Sequence, residues 1–274
     1  MSIFVIDEQK CHKDGICVAE CPVRIIEMPD PEAPPRPIAG AEELCINCGH
    51  CAAVCPHGAL SLASMPLDLM PAIRKELEIT PEQAEQFLRS RRSIRAYKKE
   101  ELDRATLQKL IELARFAPSG HNSQPLQWLV ISGREQLKAL GGVVVEWMRW
   151  VIKEQPAMAA LMHLERTVGG WEAGMDVVLR NAPHVVIAHC EKENRFGPQA
   201  GTLALGYLEL AAFSLGLGAC WAGYFQAASL FFPPMQKALG LPAGHLPLGC
   251  MMVGKPKFHY HRLPLRNQPV ITWR

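Results

Sequence analysis

The sequence has 274 residues, of which 49% are hydrophobic and 20% charged, and a formal net charge of +2. This composition is ordinary for a globular protein, and the length exceeds one typical domain of ~100 to 150 residues, so we expect two domains. The small net charge and the lack of a basic stripe argue against a nucleic-acid partner. Glu209 and several glycines interrupt the most apolar stretch, residues 203–225, so we expect no membrane-spanning helix either.

The charges are divided unevenly along the chain. Residues 1–62 hold four Lys and Arg against nine Asp and Glu, which leaves 25 against 18 for the remainder, or net charges of −5 and +7. The acidic part either docks on the basic part or meets a partner protein, or its charges are simply solvated. Residues 1–10 lack the basic start and apolar stretch of a secretory leader.

Two cysteine motifs lie in the acidic part. The second has the spacing C-x-x-C-x-x-C-x-x-x-C-P, which suits the ligands of a cubane iron–sulfur cluster: Cys45, Cys48, Cys51 and Cys55. The first repeats this spacing with Cys11, Cys17 and Cys21, but Asp14 stands where the second cysteine would be. A zinc site would use one group of four ligands and leave thiols over, and disulfides suit small secreted chains. Two agreeing motifs therefore favour iron–sulfur clusters. Exposed clusters favour a reducing interior, so we expect a cytoplasmic protein.

With these motifs, residues 1–62 resemble a two-cluster bacterial ferredoxin. The resemblance implies that the last cysteine of each motif binds the other cluster. Cluster I would then be held by Cys11, Asp14, Cys17 and Cys55, and cluster II by Cys21, Cys45, Cys48 and Cys51. A carboxylate is a harder ligand than a thiolate, so the iron at Asp14 should be the most labile. Cluster II is expected to be 4Fe–4S, and cluster I either 4Fe–4S or 3Fe–4S with that corner empty.

The next segments predict a loop and a linker. Prolines between residues 28 and 37 remove backbone donors, so we expect a stiff surface loop without helix or central strand. We assign residues 1–64 to the cluster domain, 65–80 to a linker with one short helix at 72–78, and 81–274 to a second domain. Thr80, Pro81 and Glu82 predict the start of a helix.

The second domain alternates helices and strands. Leu107, Leu110, Ile111 and Ala114 have helical spacing, and residues 199–217 predict a long helix whose small residues permit close packing. Short apolar runs predict buried strands at 128–132, 184–190 and 246–253, and a further strand should follow the long helix within 203–225. The whole indicates an α+β fold.

Two polar segments of this domain are candidates for ligand binding. Arg91, Arg92, Ser93 and Arg95 could grip a phosphate, although a basic helix end is often only solvated. The loop 117–125 carries Ser119, Asn122 and Gln124, whose amide and hydroxyl groups could bind the edge of a polar ring. His121 in the same loop is a candidate proton donor or a plain surface residue.

Together with the tail residues 254–264, these segments resemble the nitroreductase family over residues 81–274. The resemblance implies a homodimeric α+β fold with FMN at the subunit interface. It implies that Arg91, Ser93 and Arg95 hold the phosphate and flavin edge, that Asn122 and Gln124 bind the polar rim, and that Arg262 closes on the phosphate. Residues 220–223 match the segment beside flavin N5, where the N–H groups of Ala222 and Gly223 would point. Leu126 departs from the aromatic residue that the family often has.

The apolar region 143–181 corresponds to the variable lid of that family. Its tryptophans and methionines are either core or, if they face the flavin, the wall of a pocket for a small apolar or aromatic acceptor. Cys190, Cys220 and Cys250 lie in apolar runs, and we expect buried, inert thiols.

The fusion suggests a function that neither part suggests alone. A low-potential donor such as a ferredoxin would reduce the clusters, and FMN would collect two electrons and reduce a nitroaromatic, enone or quinone. In the reverse direction, NAD(P)H would reduce the flavin and electrons would leave through the clusters. As a third hypothesis, the chain is an electron carrier or a redox sensor based on the labile Asp14 corner.

Overall fold

The computed structural model describes residues 3–274 and divides into two compact units. The first unit extends to Glu78 and also contains His121–Ser123; the second comprises Ile79–Gly120 and Gln124–Arg274. Residues 65–78, assigned to a linker from the sequence, thus belong to the first unit. The inclusion of residues 121–123 in this unit has no counterpart in the sequence pattern.

The first unit is built from short elements. Strand β1 (Phe4–Ile6) pairs antiparallel with β4 (Leu60–Leu62), and β2 (Ile26–Glu27) pairs with β3 (Arg36–Pro37). Three short helices lie between them, α1 (Ile16–Glu20), α2 (Ala41–Leu44) and α3 (His50–Ala53). Their core contains apolar side chains together with two of the predicted ligands: Phe4, Ile25, Ile26, Leu60, Leu62, Cys17 and Cys21.

The two cysteine motifs fold into the same backbone conformation. The same positions of each motif have positive φ, at Lys13 and Asn47 (56° and 52°), Gly15 and Gly49 (70° and 75°), and Arg24 and Gly58 (54° and 58°). Each pair is separated by the spacing that relates Cys11 to Cys45 and Asp14 to Cys48. Asp14 therefore occupies the backbone position of a ligand.

The proline-rich segment behaves as its composition predicts. Residues 28–35 form the loop between β2 and β3. Pro37 lies in β3, which pairs with β2 over only two residues, so the missing N–H of proline is tolerated there. The short helix predicted at 72–78 is reduced to a 3₁₀ turn at Lys75–Leu77, preceded by another at Leu67–Leu69.

The second unit contains a four-stranded sheet in the order β5–β6–β8–β7, with every neighbouring pair antiparallel. The strands are β5 (Gln127–Ser132), β6 (His184–Glu191), β7 (Gly218–Trp221) and β8 (His245–Gly254). All four predicted strands are present, within one residue where ends were predicted. The expected burial of β5 is wrong, because this strand lies at the edge of the sheet and only its Ile131 is buried.

Helices cover both faces of this sheet. They are α4 (Pro81–Ser90), α5 (Arg104–Ala114), α6 (Arg134–Glu154), α7 (Pro156–Leu161), α8 (Leu164–Glu172), α9 (Gly197–Ser214), α10 (Gly223–Phe231) and α11 (Pro233–Leu239). Successive residues of β6 enter opposite cores: Val185 and Ile187 pack with α6 and α10, whereas Val186 and Ala188 pack with α5 and α9. Burial on both faces explains why this strand is a continuous apolar run. The predicted α+β fold is confirmed.

Local signals also fix helix ends and packing. Thr80 and Gln83 form a reciprocal capping box at the start of α4. Gly201 of α9 lies against the sheet, where a Cβ would approach the Leu248 Cβ to 2.6 Å, so the small residues permit helix–strand contact. Gly206 faces open space.

The apolar region 143–181 is divided between core and surface. Trp147 and Met148 of α6 are buried, whereas Trp150, Met158 and Met175 are between 42% and 57% exposed. No helix within residues 3–274 combines the length and apolarity needed to cross a membrane.

Candidate functional site

All four predicted ligands of cluster II line one cavity in the first unit. Cys21 comes from the end of the first motif, and Cys45, Cys48 and Cys51 come from the second. The other walls are mainly apolar, with Ile25, Ile26 and Leu62 among them. Four thiols around an apolar space fit the donor set of a cubane cluster and support the crossed assignment.

Electrostatic neighbours of the thiols agree with the same two groups. Burial raises the pKa of Cys51 to about 11, and negative charge at Cys21 and Cys48 adds to the rise. Burial also raises the pKa of Cys17, with Cys55 and Asp14 as the contributing neighbours. Cys55 and Asp14 are therefore both charged neighbours of Cys17, which agrees with the cluster I assignment.

Asp14 also has a local structural role. Its exposed side chain accepts a hydrogen bond from the Ile16 N–H at 3.1 Å, in the first turn of α1. Nearby, the Ala59 N–H donates to the Cys55 Sγ at 3.3 Å, and the His12 and His57 rings stack with centroids 3.7 Å apart. The carboxylate is thus placed beside the cluster I cysteines, while one of its oxygens is already engaged.

Within residues 3–274, no three His, Cys, Asp or Glu side chains converge on a single metal ion. A cubane cluster needs no such convergence, because each protein ligand binds a different iron. The backbone suits a cluster in another respect. In this part of the chain, the N–H groups of Asn47, Cys48 and Gly49 donate to no protein acceptor, so they can serve a negatively charged group.

In the second unit, the predicted phosphate-binding segment includes a half-buried ion pair. Arg91, at the end of α4, places Nη1 2.8 Å from Oε1 of Glu209 on α9, with side chains 22% and 12% exposed. Sequence reasoning missed this partner. The signal was present, because a single carboxylate in an apolar helix needs a cationic partner when it is buried.

The other residues of the arginine segment lie in two different surroundings. Arg92 lies 5.9 Å from the centre of the Tyr260 ring, and both line a groove of about 210 Å³ with Arg91 and Glu209. Ser93 and Arg95 lie near Cys220 instead, because both oppose the rise that burial causes in the Cys220 pKa. The structure thus brings the arginine segment together with the predicted segment 220–223.

Ser119 and Gln124 line a separate groove of about 290 Å³ in the second unit. The Ser119 hydroxyl accepts a hydrogen bond from the Gln124 N–H at 3.0 Å and so shapes the loop. Two larger cavities, of about 610 and 680 Å³, lie elsewhere in this unit. Neither is lined by a predicted flavin residue.

The segment between these residues belongs to the first unit. Asn122 donates its side-chain amide to the backbone carbonyls of Asn47 at 2.8 Å and Ile46 at 3.3 Å. His121, Asn122 and Gln124 all have positive φ, between 42° and 53°, a conformation that asparagine tolerates better than most residues. His121 is exposed.

The remaining predicted flavin contacts are Ala222, Gly223 and Arg262. The Ala222 N–H donates to the Cys250 carbonyl at 2.8 Å, so this predicted donor toward flavin N5 is already used. Gly223 is the first residue of α10, where a backbone N–H has no partner within the helix. Arg262 is exposed in the tail after β8.

The other cysteines are buried, as expected. Burial raises the pKa of Cys250 to about 12, and burial also raises the pKa of Cys190 and Cys220. Such thiols are protonated at neutral pH and have no thiolate for nucleophilic attack.

Fold and cavities define a redox protein with a two-cluster unit and a layered α+β unit. The family models match accordingly: residues 4–59 match the 4Fe-4S dicluster domain, and residues 88–255 match the nitroreductase family. The chain belongs to the nitroreductase family and carries an N-terminal 4Fe–4S dicluster domain.

Relatives and solved structures agree with this membership. An NADH dehydrogenase of Thermus thermophilus is 28% identical over 200 residues, covering 67% of this chain and 92% of that protein. An iodotyrosine deiodinase of Thermotoga neapolitana is 29% identical over 130 residues, covering 47% and 68%. The crystal structure of a nitroreductase with bound FMN from Bacteroides fragilis superposes with a TM-score of 0.59 at 20% identity, covering 70% and 99%.

Proposed function

We propose that this protein is an FMN-dependent oxidoreductase that takes single electrons from a low-potential donor, a ferredoxin, and reduces a small organic acceptor. The observation that carries the proposal is the cavity lined by Cys21, Cys45, Cys48 and Cys51 in a chain whose body belongs to the nitroreductase family. When bound, iron–sulfur clusters supply one-electron transfer and a flavin supplies two-electron reduction, so together they connect the two kinds of chemistry.

In this proposal the cysteines and Asp14 hold the two clusters, and Arg91, Arg92, Ser93 and Arg95 hold the flavin phosphate and edge. Gly223 offers the backbone N–H at the start of α10, and Arg262, exposed in the tail after β8, closes on the phosphate. The acceptor is a flat nitroaromatic, enone or quinone. The protein is cytoplasmic.

A homodimer is part of the proposal. Four of the predicted flavin residues line two grooves of about 210 and 290 Å³, Arg91 and Arg92 in the first and Ser119 and Gln124 in the second. Both volumes are below the ~300 Å³ at which ligand pockets begin. A second copy would complete a composite pocket, as the family resemblance implies. The bound FMN of the Bacteroides fragilis structure supports the choice of cofactor.

One observation favours a second candidate. The Thermus thermophilus relative is named an NADH dehydrogenase, which supports electrons arriving as NADH at the flavin and leaving through the clusters. The direction is tested by anaerobic rapid mixing of cluster-replete, FMN-loaded protein with NADH, NADPH or a reduced ferredoxin. Fast flavin bleaching by ferredoxin alone is the expected result. Fast bleaching by a nicotinamide would overturn the proposed direction and favour the second candidate.

A further inference from the structure

The loop that carries the ligands Cys45 and Cys48 is held from outside the cysteine motifs. Asn122, half-buried in the first unit, donates to the carbonyls of Ile46 and Asn47, the two residues between these cysteines. The partners fix the orientation of the amide, because a carbonyl oxygen only accepts and the amide must present its NH₂ group. One side chain therefore binds two of the three peptide groups that separate the two ligands.

These carbonyls belong to the same peptide groups as the N–H donors beside the cavity. The Ile46 carbonyl shares its peptide group with the Asn47 N–H, and the Asn47 carbonyl shares its group with the Cys48 N–H. In the described structure both N–H groups lack a protein acceptor, and Ile46 and Cys48 line the cavity. A hydrogen bond to a carbonyl polarises the peptide and strengthens the N–H of the same group as a donor.

We propose that Asn122 is a positioning residue for cluster II, which fixes the Cys45–Cys48 loop and raises the reduction potential of the cluster held there. The inference rests on the proposed function, because it requires the all-cysteine cluster. Reduction adds negative charge, and stronger N–H donors favour the more negative state. This role differs from the flavin contact that the family resemblance implies for Asn122, since both amide hydrogens are used here.

The test is an EPR-monitored reductive titration of the full, cluster-replete chain under anaerobic conditions. Asn122→Gly removes the donor without backbone strain, because glycine accepts the φ of 52°. Asn122→Asp keeps the side-chain shape but cannot donate. Ser64→Ala is the matched control, because it removes the Ser64 hydroxyl bond to the Asn47 side chain and leaves both carbonyl bonds in place.

We expect a more negative cluster II potential in Asn122→Gly, up to tenfold in the one-electron equilibrium, or ~59 mV, and a larger shift in Asn122→Asp. Ser64→Ala should match the wild type. Selective loss of cluster II from the Asn122 variants, with cluster I and flavin retained, would also support the role. Unmoved potentials in both Asn122 variants, an equal shift in Ser64→Ala, or loss of flavin with an unchanged cluster II would overturn it.

A failure of the proposed function is distinguishable from these results. If the wild-type chain assembles no all-cysteine 4Fe–4S cluster, the ligand assignment itself is wrong. If cluster II is present and its reduction potential is the same in the wild type and the Asn122 variants, only the positioning role is wrong.

Discussion

Asp14 is the residue at which the two halves of the cluster unit differ. Its backbone follows the conformation of the Cys48 position, and Cys17 is among its neighbours. Its oxygen also accepts the Ile16 N–H, a bond that aspartate makes in many proteins without any metal. This geometry is compatible with Asp14 as a cluster ligand and with Asp14 as a hydrogen-bond acceptor in the turn before α1. A substitution is needed to distinguish the two roles.

Asp14→Cys should make cluster I more resistant to air, because a thiolate holds cluster iron better than a carboxylate. The measurement is the growth of a three-iron EPR signal after timed exposure to oxygen. Asp7→Asn is the control, since Asp7 is another aspartate of this unit that caps a nearby N–H, that of Gln9. An unchanged signal in Asp14→Cys would show that Asp14 is not a ligand and would remove the basis of the sensor hypothesis.

Arg91 is the second residue whose role is open to test. Arg91→Ala should weaken FMN binding at least tenfold, because a charge-assisted hydrogen bond contributes about 1.5–3 kcal/mol. Arg89→Ala is the control, since Arg89 lies on the same helix and pairs with Glu85 at the surface. Flavin fluorescence titrations measure both. Equal affinities in the two variants would remove Arg91 from the flavin site.

At the scale of elements, His184 joins the start of β6 to the segment before α5. Its Nε2 accepts the Leu102 N–H at 2.8 Å, and its Nδ1 lies 2.7 Å from the Ser132 hydroxyl. The ring is buried, and burial lowers the pKa of His184. Only the neutral ring can accept from Leu102, so the fold requires the deprotonated form.

This predicts acid sensitivity of the second unit. Unfolded, the histidine has a pKa of about 6.5, so the unfolded state binds the proton first and stability falls as the pH decreases below ~6.5. His184→Gln, which can still accept from Leu102, should reduce the pH dependence of urea unfolding between pH 5 and 8. His261→Gln is the control, because it removes another histidine of this unit that is exposed in the tail after β8. A full pH dependence in His184→Gln would contradict the prediction.

The elements themselves were largely predictable, because periodicity and turn residues report local burial. The strand at 184–190 contains the apolar run Val185–Ala188 because both faces are covered, and the capping residues at Thr80 mark a helix start. Partners distant in sequence were not predictable. Nothing in the neighbourhood of Asn122 indicates Ile46 or Asn47, and the use of the Ala222 N–H by Cys250 depends on the pairing of β7 with β8.

At the scale of the whole molecule, the two units should differ in their dependence on iron. The first unit has strands of two or three residues and helices of four or five, and two predicted cluster ligands, Cys17 and Cys21, are part of its core. Metal binding that completes a core contributes to the free energy of folding. The second unit has two apolar cores around its own sheet.

Anaerobic removal of iron by a chelator should therefore unfold the first unit and leave the second folded. Limited proteolysis followed by mass spectrometry measures this, with cleavage expected before Glu78 and a resistant fragment beyond Ile79. Protein mock-treated without chelator is the control. If the first unit resists protease without iron, its side-chain packing alone is sufficient to keep it folded, which would contradict the prediction.

The division of Arg91 and Arg92 from Ser119 and Gln124, in two separate small grooves, gives a further prediction. If a second copy completes the pocket, FMN should dissociate as the protein is diluted below the dimer dissociation constant. Analytical ultracentrifugation and flavin fluorescence over the same concentration range test this. A monomer that retains its flavin would contradict the composite site.

The cluster unit is not contiguous in sequence, because it takes in residues 121–123 from far along the chain. A gene fragment that ends at Glu78 would encode every cysteine ligand and still omit Asn122. If another ferredoxin sequence were fused to residues 79–274, its ligand loop would likewise not be adapted to bind Asn122. To exchange the cluster unit between proteins, residues 121–123 would therefore have to be exchanged together with the N-terminal segment. Recombination at a single crossover point would separate the two.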